Sequence, residues 1–520
     1  MTINTPENLI VLSDLHINEG WLENEGKYSP REDFFYDRPF FDLLRHYEAL
    51  RSTPSHTGSP WQLILNGDTF DFEQVMDLPP AGAELEAVCG VTTHAELGER
   101  ARFGLGTSEP EGCWRMRRIA RGHPLFFAAL GWFVAHGNHI LMLKGNHDAE
   151  LYWPGVQETL RCEVLAAYRQ YRRQHPDAPP LEESGVAERV EFEPWFYYDS
   201  RYHIYVEHGN QYEPTNRYAN PLCPVEPGDK DTLALPQGML FTRYVLNRLE
   251  GDFPYTDNVR PLTRALPWML SEDPLRGTRI LLTHVHDLLT GWRYLVRSDG
   301  KKQPPVTSSQ GYGGLSAPLV EAIQATAQKH GHVSWEVWAP MVLSQVLAGT
   351  LRVGAVALAA RGLFCLLTTQ RCRPAGSLLG ALALFNAGRL WNNHINDDRQ
   401  LNYLPAIASE IEESFRHVTC PLSAIIAGHT HIPYCQPMEE RPTWVLNTGA
   451  WMPTLIRKPH RWTIRLTFAC ITPNSEPRTW FREWDPRLGK PVHPDFSDDG
   501  YLVSAVQWIP DPRGGRPHGR

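Results

Sequence analysis

Five short motifs place acidic, amide or imidazole side chains directly after runs of apolar residues. In chain order these motifs are SDLH at 13–16, NGD at 66–68, GNHD at 145–148, EHGN at 207–210 and GHTH at 428–431. A mixture of carboxylate, imidazole and amide oxygen ligands suits Mn, Fe, Zn and Mg ions. Two such ions, about 3.5–4 Å apart, can hold a phosphate, generate the nucleophile and stabilise the leaving oxygen. The motifs therefore predict a dinuclear metal centre whose ligands are Asp14, His16, Asp68, Asn146, His208, His429 and His431.

A second copy of the GNH sequence lies at 137–139, close to the motif at 145–148. This copy precedes the apolar run at 140–143, whereas Asn146 and His147 follow that run. A buried strand in a layered fold carries its functional residues at its carboxyl end. We therefore predict that 137–139 is a helix-to-strand turn and that Asn146 and His147 belong to the site.

The motifs must be positioned by strands, because a short, continuous apolar run precedes each of them. Such runs lie at 9–12, 63–65, 140–143, 203–206 and 425–427. Segments with helical spacing lie at 35–50, 123–134, 161–173 and 406–416. This alternation of strand and helix predicts a layered α/β fold.

Other stretches carry weaker patterns. Residues 79–110 are rich in Gly, Thr, Glu and Pro without firm periodicity, which predicts an irregular insertion. Apolar runs at 444–446, 462–472 and 479–483 predict further strands that complete the fold. Residues 510–520 are rich in Pro, Gly and Arg and are predicted to be disordered.

The bulk composition is ordinary for a globular protein, with 42% hydrophobic and 21% charged residues among 520. A chain of this length can form about two or three average domains, or one elaborated catalytic domain. The net charge of −9 gives no general reason to expect nucleic acid as a partner.

The nine cysteines are scattered and include no CxxC pair, which favours reduced thiols in a cytosolic chain. The N-terminal sequence MTINTPENLIVLSD lacks a basic leader that is followed by a cleavage site. We therefore expect a cytoplasmic protein.

The segment 337–396 contains no Asp or Glu, although it contains five arginines, among them Arg352 and Arg361. Its apolar sequence breaks at Arg373-Pro374, which predicts a helical hairpin. Neither arm supplies the ~20 uncharged apolar residues of a membrane-spanning helix. One interpretation of 337–391 is a packed lid or an oligomer contact; the other is a peripheral membrane or lipid contact. Arg352 and Arg361 lie on opposite sides of an ideal helix, so no single amphipathic face is expected.

The order DxH, GD, GNHD, HG and GHxH resembles that of the calcineurin-like metallophosphoesterases, and every motif is present without a ligand substitution. The resemblance implies an α/β fold, a four-layer α/β/β/α sandwich, here with a large helical insertion. It also implies two divalent metal ions, with Mn²⁺ favoured over Fe, Zn or Mg. By the same resemblance Asp68 bridges the two ions, and the remaining ligands divide into two sets: Asp14, His16 and His431 for one ion, and Asn146, His208 and His429 for the other.

The resemblance further implies that His147 lies over the phosphate, where it stabilises charge or protonates the leaving group. Asp148 would fix the tautomer of His147 and raise its pKa. Arg217, Arg243 and Arg248 are candidate phosphate ligands, because guanidinium groups bind phosphates through paired hydrogen bonds. The sequence THVHD at 283–287 superficially repeats GHTH, but we expect His284 and His286 to have a structural or lid role.

Within the superfamily the opening SDLH and a helical lid before GHTH resemble the UDP-2,3-diacylglucosamine pyrophosphatases. The implied domains are a first core part at 1–235, a helical insertion at 236–400, a second core part at 401–475 and a C-terminal extension at 476–520. The expected reaction is hydrolysis of a phosphoester or diphosphate bond by a metal-bound hydroxide, on a lipid-linked or nucleotide substrate. The alternatives are a DNA nuclease of the same superfamily and a non-catalytic scaffold, and the net negative charge disfavours the nuclease.

Overall fold

Buried strands and helices alternate along the chain in the computed structural model. The structure describes residues 7–53, 58–259, 268–269, 273–284, 290, 312–330, 355, 358–364, 374–395, 403–418, 421–439, 441–456, 461–497 and 500–502. The strands are β1 (Asn8–Leu12), β2 (Trp21–Leu22), β3 (Lys27–Tyr28), β4 (Trp61–Asn66), β5 (His139–Leu143), β6 (Val190–Glu193), β7 (Phe196–Asp199), β8 (Ile204–Glu207), β9 (Ala424–Ala427), β10 (Tyr434–Pro437), β11 (Trp444–Asn447), β12 (Thr454–Ile456), β13 (Arg461–Thr463), β14 (Thr467–Ile471), β15 (Phe481–Asp485) and β16 (Lys490–Val492).

The helices differ widely in length, from single turns to 22 residues. They are α1 (Asp37–Leu50), α2 (Ala83–Cys89), α3 (Arg100–Phe103), α4 (Glu109–Gly122), α5 (Pro124–Ala135), α6 (Pro154–Gln174), α7 (Glu183–Arg189), α8 (Gln237–Phe241), α9 (Asn247–Asp252), α10 (Pro274–Thr283), α11 (Ala317–His330), α12 (Pro374–Ile395) and α13 (Leu404–Val418). The strands predicted to precede the motifs and the helices predicted from helical spacing are all present, with ends that differ by a few residues. The one larger difference is that the helix predicted at 161–173 begins seven residues earlier, at Pro154.

Two large mixed sheets define an α/β fold. The first sheet has the order β16-β15-β14-β1-β4-β5-β6, in which β1, β4, β5 and β6 are parallel and the last three strands in sequence run antiparallel. The second sheet has the order β10-β11-β9-β8-β7, with β8, β9 and β11 parallel. Strand β1 is buried along its whole length, as its uninterrupted apolar sequence predicts.

Alternate residues of β1 pack into different hydrophobic clusters, because successive side chains of a strand point to opposite faces of a sheet. Ile10 and Leu12 pack with residues of α1, α4, α5 and α6, such as Phe126. Leu9 and Val11 pack instead with residues of the second sheet. The two sheets therefore share one apolar cluster, while helices cover the other face of the first sheet.

The other face of the second sheet is covered by α11 and α13. Ile323 of α11 and Ile411 of α13 pack with Tyr205 and Ile425 from the sheet. Residues 317–330 fall within the predicted insertion at 236–400, yet they contribute to this hydrophobic core. Helix α11 lies in the range predicted for the insertion, and its apolar face is buried against α13 and the sheet.

The first sheet also continues beyond the predicted end of the core at 475. Strands β15 and β16 add to the sheet next to β14, and Phe481 and Trp484 are buried. The part of 476–520 up to Val492 is thus integral to the sheet rather than a loose extension. Residues 503–520, which include the segment predicted to be disordered, lie outside the described residues.

Residues 79–110, predicted to be an irregular insertion, contain the short helices α2 and α3, and α4 begins at the end of this range. Helix α4 begins with a capping box, in which Ser108 and Glu111 bind each other's backbone N–H groups. The predicted turn at 137–139 is confirmed: Gly137 has a φ of 82°, and Asn138 Oδ1 accepts a hydrogen bond from the backbone N–H of Trp61.

The described parts of the predicted hairpin at 337–391 are helical, namely 358–364 and most of α12. A Cβ atom at Gly380 would lie 3.2 Å from Leu358 Cδ1, so the two helical segments are in contact. Leu379 and Phe385 on α12 are 66% and 52% exposed. Among the residues that the structure describes, no helix is both long and apolar enough to cross a membrane.

Candidate metal centre

The predicted ligands follow the carboxyl ends of five parallel strands. Asp14 follows β1, Asp68 follows β4 and Asn146 follows β5 in the first sheet. His208 follows β8 and His429 follows β9 in the second sheet. The ends of parallel neighbouring strands meet at one edge of a sheet, so the two sheets together bring all five side chains to one place.

Three of the ligands form one buried group. Asp14, His16 and His431 each contribute an atom that lies within 4.8 Å of the other two. His431 Nε2 lies 3.3 Å from Asp14 Oδ1, and His16 Nε2 lies 3.9 Å from the same oxygen. These are the residues that the resemblance assigns to one ion.

Asp68, His208 and His429 form the neighbouring group, again with one atom each within 4.8 Å of the others. Asp68 Oδ2 lies 3.0 Å from His208 Nε2 and 3.7 Å from His16 Nε2. Its carboxylate therefore faces both groups, which is the position that a bridging ligand requires.

Buried polar atoms without hydrogen-bond partners mark the site as suited to metal ions. His16 Nε2 and Asn146 Oδ1 are inaccessible to solvent and have no hydrogen-bond partner. Leaving such an atom unpaired costs about 1–3 kcal/mol. The orphaned atoms are an imidazole nitrogen and an amide oxygen, and both atom types bind Mn, Fe or Zn. The residues therefore fit divalent metal ions.

Left-handed backbone conformation at non-glycine residues is concentrated in the predicted ligands. Such a conformation costs about 1–3 kcal/mol and is found mostly at functional sites. Among the described residues only His203 and Tyr255 adopt it outside the ligand set. The ligands that adopt it are Asp14 (54°), His16 (50°), Asp68 (49°), His429 (67°) and His431 (60°).

Two glycines allow the chain to approach the ligands closely. A Cβ atom at Gly67, which has a φ of 77°, would lie 2.5 Å from the ring of His208. A Cβ atom at Gly428 would lie 2.4 Å from Asp14 Oδ2. The glycines of the GD and GHTH motifs are therefore required by the packing around the ligands.

Backbone hydrogen bonds hold the ligands in place. The N–H of His429 donates to both carboxylate oxygens of Asp14, at 3.1 and 3.0 Å. The N–H of His147 donates to Asp68 Oδ1 at 2.8 Å. His208 Nδ1 donates to the carbonyl oxygen of Asn66 at 3.0 Å, which leaves Nε2 directed towards Asp68.

The electrostatics of the site favour ionised carboxylates and charged imidazoles. Burial alone would raise the pKa of Asp68, but the neighbouring imidazoles, with His208 foremost, hold it well below its ordinary value. Burial alone would lower the pKa of His208, yet Asp68 and Asp14 raise it to about 9. Without a bound metal, protons would therefore occupy some of the ligand atoms at neutral pH.

His147 lies beside the metal ligands and is paired with Asp71. Its Nδ1 lies 2.6 Å from Asp71 Oδ2, and its ring centroid lies 4.6 Å from that of His16. Burial alone would lower the pKa of His147, but Asp71 and Asp68 raise it. The carboxylate that orients His147 is therefore that of Asp71.

The predicted pairing of Asp148 with His147 is wrong. Asp148 accepts hydrogen bonds from the backbone N–H groups of Gly145 and Thr69, at 2.6 and 2.9 Å. Both carboxylate oxygens of Asp148 thus bind the backbone, one in the loop of the NGD motif and the other in the loop of the GNHD motif. Burial raises the pKa of Asp148 to about 6.

Asp71 and Glu213 were not among the site residues predicted from the sequence. Asp71 lies three residues after Asp68, within the NGDTFD sequence, and this spacing was an available signal. Glu213 Oε2 lies 2.5 Å from His429 Nε2, and no pattern in the sequence indicates this contact. Glu213 thus fixes the ring of His429 in the way that carboxylates orient metal-bound imidazoles.

A buried lysine adds positive charge near the site. The Lys144 ammonium lies 4.3 Å from the centre of the Tyr218 ring. Tyr218 donates a hydrogen bond to the carbonyl oxygen of Asn146 at 2.9 Å. Burial lowers the pKa of Lys144 to about 8, despite the opposing effect of Asp148.

The three candidate phosphate ligands differ in their surroundings. Arg243 is buried and binds Glu73 and the carbonyl oxygens of Gly104 and Leu105, so its contacts are structural. Arg248 is half-buried and donates to the carbonyl oxygen of Arg102.

Arg217 lies in the same loop as Glu213 and Tyr218, both of which contact the candidate centre. Its side chain is half-buried, and burial lowers its pKa. Of the three arginines, Arg217 therefore remains the candidate whose chain position is closest to the centre.

The second histidine motif is accounted for in part. His284 Nε2 lies 2.8 Å from Asp252 Oδ2, so His284 joins the end of α10 to α9 within the insertion. This contact agrees with the expected structural role. His286 lies outside the described residues.

Comparisons with protein-family models, curated proteins and solved structures give no match to this chain.

Proposed function

We propose that this chain is a dinuclear metal-dependent phosphoesterase of the calcineurin-like kind. The proposal is carried by the convergence of six of the seven predicted ligands in two adjoining groups, with the carboxylate of Asp68 facing both. The orphaned atoms of His16 and Asn146 and the strained backbone of five ligands support it. A set of buried residues that merely stabilised the fold would not need such strain.

The packing of the two sheets supports the four-layer form of this fold. One apolar cluster lies between the sheets, and helices lie on the outer face of each. The order of layers that these clusters suggest is helix, sheet, sheet, helix.

Two divalent ions would be held by the seven ligands, one by Asp14, His16 and His431 and the other by Asn146, His208 and His429, with Asp68 shared. When bound, the ions would neutralise phosphate charge and supply a nucleophile from water. The Asp, Asn and His donors favour Mn, Fe or Zn over Ca.

His147, held by Asp71, would then donate a proton to the leaving oxygen. Asp71 fixes Nδ1 of His147, so the opposite nitrogen of the ring is free to face a leaving oxygen. The raised pKa favours the protonated form of His147, which a general acid requires. Asp148 accepts hydrogen bonds from the backbone of both Thr69 and Gly145 and so joins the two loops. This link holds His147 beside the candidate metal centre.

The test is metal-dependent hydrolysis of bis-p-nitrophenyl phosphate by the purified protein. Asp68→Ala and His208→Ala should each abolish turnover and reduce metal content, because each removes a ligand. His175→Ala is the control, since His175 is exposed at the end of α6. Unchanged turnover in either ligand variant would reject the site.

The alternatives give different results in the same preparation. Full metal content without hydrolysis of any phosphoester would favour a scaffold. DNA binding that weakens steeply with salt would favour a nuclease, although the net charge of −9 opposes it.

A lipid-linked substrate is favoured over a free nucleotide by one observation. Exposed apolar side chains on α12 and on residues 358–364 lie in a segment without acidic residues. Such a surface could contact acyl chains or anionic lipid headgroups. A comparison of diphosphate substrates with and without a lipid chain would test this preference.

A further inference from the structure

A second group of carboxylates lies apart from the predicted metal ligands. Asp33, Glu250 and Asp257 each contribute an oxygen atom that lies within 4.8 Å of the other two. Asp33 precedes α1, Glu250 belongs to α9, and Asp257 lies in the loop that follows α9. The group therefore joins the beginning of the insertion to the N-terminal part of the core.

One amide group binds two of these carboxylates. Gln74 Nε2 donates hydrogen bonds to Glu250 Oε2 and to Asp257 Oδ2, both at 2.9 Å. Asn18 Nδ2 donates to Gln74 Oε1 at 3.0 Å, which fixes the orientation of the amide. Both hydrogens of the Gln74 amide are thus used, and the remaining carboxylate oxygens need another partner.

Several buried atoms at this place lack a partner. Glu250 is fully buried, and its Oε1 accepts no hydrogen bond. Asp257 Oδ1 is likewise unpartnered. Asn258, the next residue, is fully buried, and neither atom of its amide group has a partner. These oxygens are the hard donor atoms that calcium and magnesium bind.

Within the described part of the chain Arg31 attracts Glu250, although its Nε donates to the carbonyl oxygen of Asn247 at 3.0 Å and neither Glu250 nor Asp257 forms an ion pair. A single arginine does not neutralise three carboxylates. Clustered buried carboxylates repel one another unless a proton or a cation is shared among them. The group could therefore hold either a proton or a cation, and the two cases predict different responses to added Ca²⁺ or Mg²⁺.

We propose that Asp33, Glu250 and Asp257 bind a hard divalent cation, Ca²⁺ or Mg²⁺, at a site distinct from the dinuclear centre. An all-oxygen site favours these ions, whereas the imidazole-containing centre favours transition metals. A proton shared by Glu250 and Asp257 would pair their oxygens but would leave the buried amide of Asn258 without a partner.

The bound cation holds the start of the insertion close to the candidate metal centre. Gln74 also donates its backbone N–H to Asp71 Oδ1 at 3.1 Å, and Asp71 is the partner of His147. Met239 of α8 contacts Asn146 through its sulfur at 3.4 Å. The start of the insertion is thus held between the proposed cation site and the ligands.

The test uses the full-length protein, stripped with chelator and reloaded with Mn²⁺ so that the dinuclear centre is filled. Calorimetric titration with Ca²⁺ should then show about one further ion per chain, with a rise in the thermal midpoint. Glu250→Gln and Asp257→Asn should each abolish this response and keep the Mn²⁺ content. Asp252→Asn, which removes a charge from the same helix outside the group, should bind Ca²⁺ as the unmodified protein does.

The shared-proton alternative predicts the opposite pattern. Glu250→Gln imitates a protonated glutamate, so its thermal midpoint would match that of the unmodified protein, and neither protein would respond to Ca²⁺ or Mg²⁺. That result would overturn the proposal, as would Ca²⁺ binding that persists in both variants. If Glu250→Gln fails to fold, Asp257→Asn decides, because Asp257 is only half-buried. Failure of this site leaves Mn²⁺ loading and hydrolysis unaffected, so it is distinguishable from failure of the proposed function.

Discussion

Asp71 contacts two imidazoles, and its short distance to His147 makes it the residue on which the proposed proton transfer depends. Its carboxylate is fully buried and lies 2.6 Å from His147 Nδ1 and 3.4 Å from His16 Nδ1. Although burial would raise the pKa of Asp71, these imidazoles, with His147 first, lower it to about 2. Asp71 is thus anionic at neutral pH and favours the charged form of His147.

Asp71→Asn should therefore lower kcat by about 10²–10⁴, the usual contribution of a general acid. The basic limb of the pH profile of kcat should also move to lower pH, because the pKa of His147 falls without the adjacent charge. Asp42→Asn, on the surface of α1, serves as the control. A reduced kcat with an unshifted basic limb would contradict the role of Asp71 as the partner of His147.

Metal binding should release protons at neutral pH. His208, with a pKa of about 9, and His16, with a pKa well above its ordinary value, carry protons that a metal ion must displace. The affinity for Mn²⁺ should rise as the pH rises from 6 to 9. Calorimetry in buffers of different ionisation enthalpy measures the released protons, and an enthalpy that does not depend on the buffer would exclude the effect.

The elements that carry the motifs were predictable, since an uninterrupted apolar run that ends in a polar motif defines a buried strand. Strand β1 and the turn at 137–139 follow this rule. The sequence could not show that α11 packs on the second sheet, because its apolar face is matched by α13, which lies some eighty residues later. The pairing of His147 with Asp71 rather than Asp148 depends likewise on side-chain directions that spacing alone does not specify.

His123, at the start of α5, joins this helix through charge to α1 and to the loop that precedes α1. Its imidazole lies 3.1 Å from both Glu32 Oε2 and Asp37 Oδ1, the latter at the start of α1. Burial would lower the pKa of His123, but Asp37 and Glu32 raise it to about 10 from 6.5. Its stabilising contribution is therefore complete below about pH 6.5 and is lost as the pH rises towards 10.

His123→Gln should lower the free energy of unfolding by about 3–5 kcal/mol at pH 6, because the buried carboxylate of Glu32 and the partly buried carboxylate of Asp37 lose their charged partner. The difference from the unmodified protein should shrink by pH 10. Denaturant unfolding at both pH values measures it, with His175→Gln as the exposed control. Equal losses at pH 6 and pH 10 would show that the charge of His123 is not responsible.

At the scale of the whole molecule, the motifs of the proposed centre and the segment proposed to contact the substrate are separated along the chain. Four motifs lie within the first 210 residues, and the fifth follows the insertion. The sheets bring the motifs together, while α12 presents exposed Leu and Phe side chains in a segment without acidic residues. Recognition of an apolar substrate or surface would thus be added to the centre without changing it.

If α12 contacts lipid, the full-length protein should co-float with anionic liposomes and not with neutral ones. Leu379→Ser combined with Phe385→Ser should reduce co-flotation several-fold without loss of stability, because both side chains are exposed. Leu488→Ser, at another exposed apolar position, is the matched control. Equal co-flotation of the double variant would exclude α12 as the contact.

The position of β1 between β4 and β14 affects how the protein folds during its synthesis on the ribosome. β14 is translated roughly 450 residues after β1. At about 5–20 residues per second, the ribosome needs roughly 20–90 s to cover this distance. Throughout that interval one edge of β1 has unpaired backbone groups, which can pair with other nascent chains. Synthesis of this chain therefore exposes its innermost strand to aggregation, and a chaperone that shields the first half would raise the yield of folded protein.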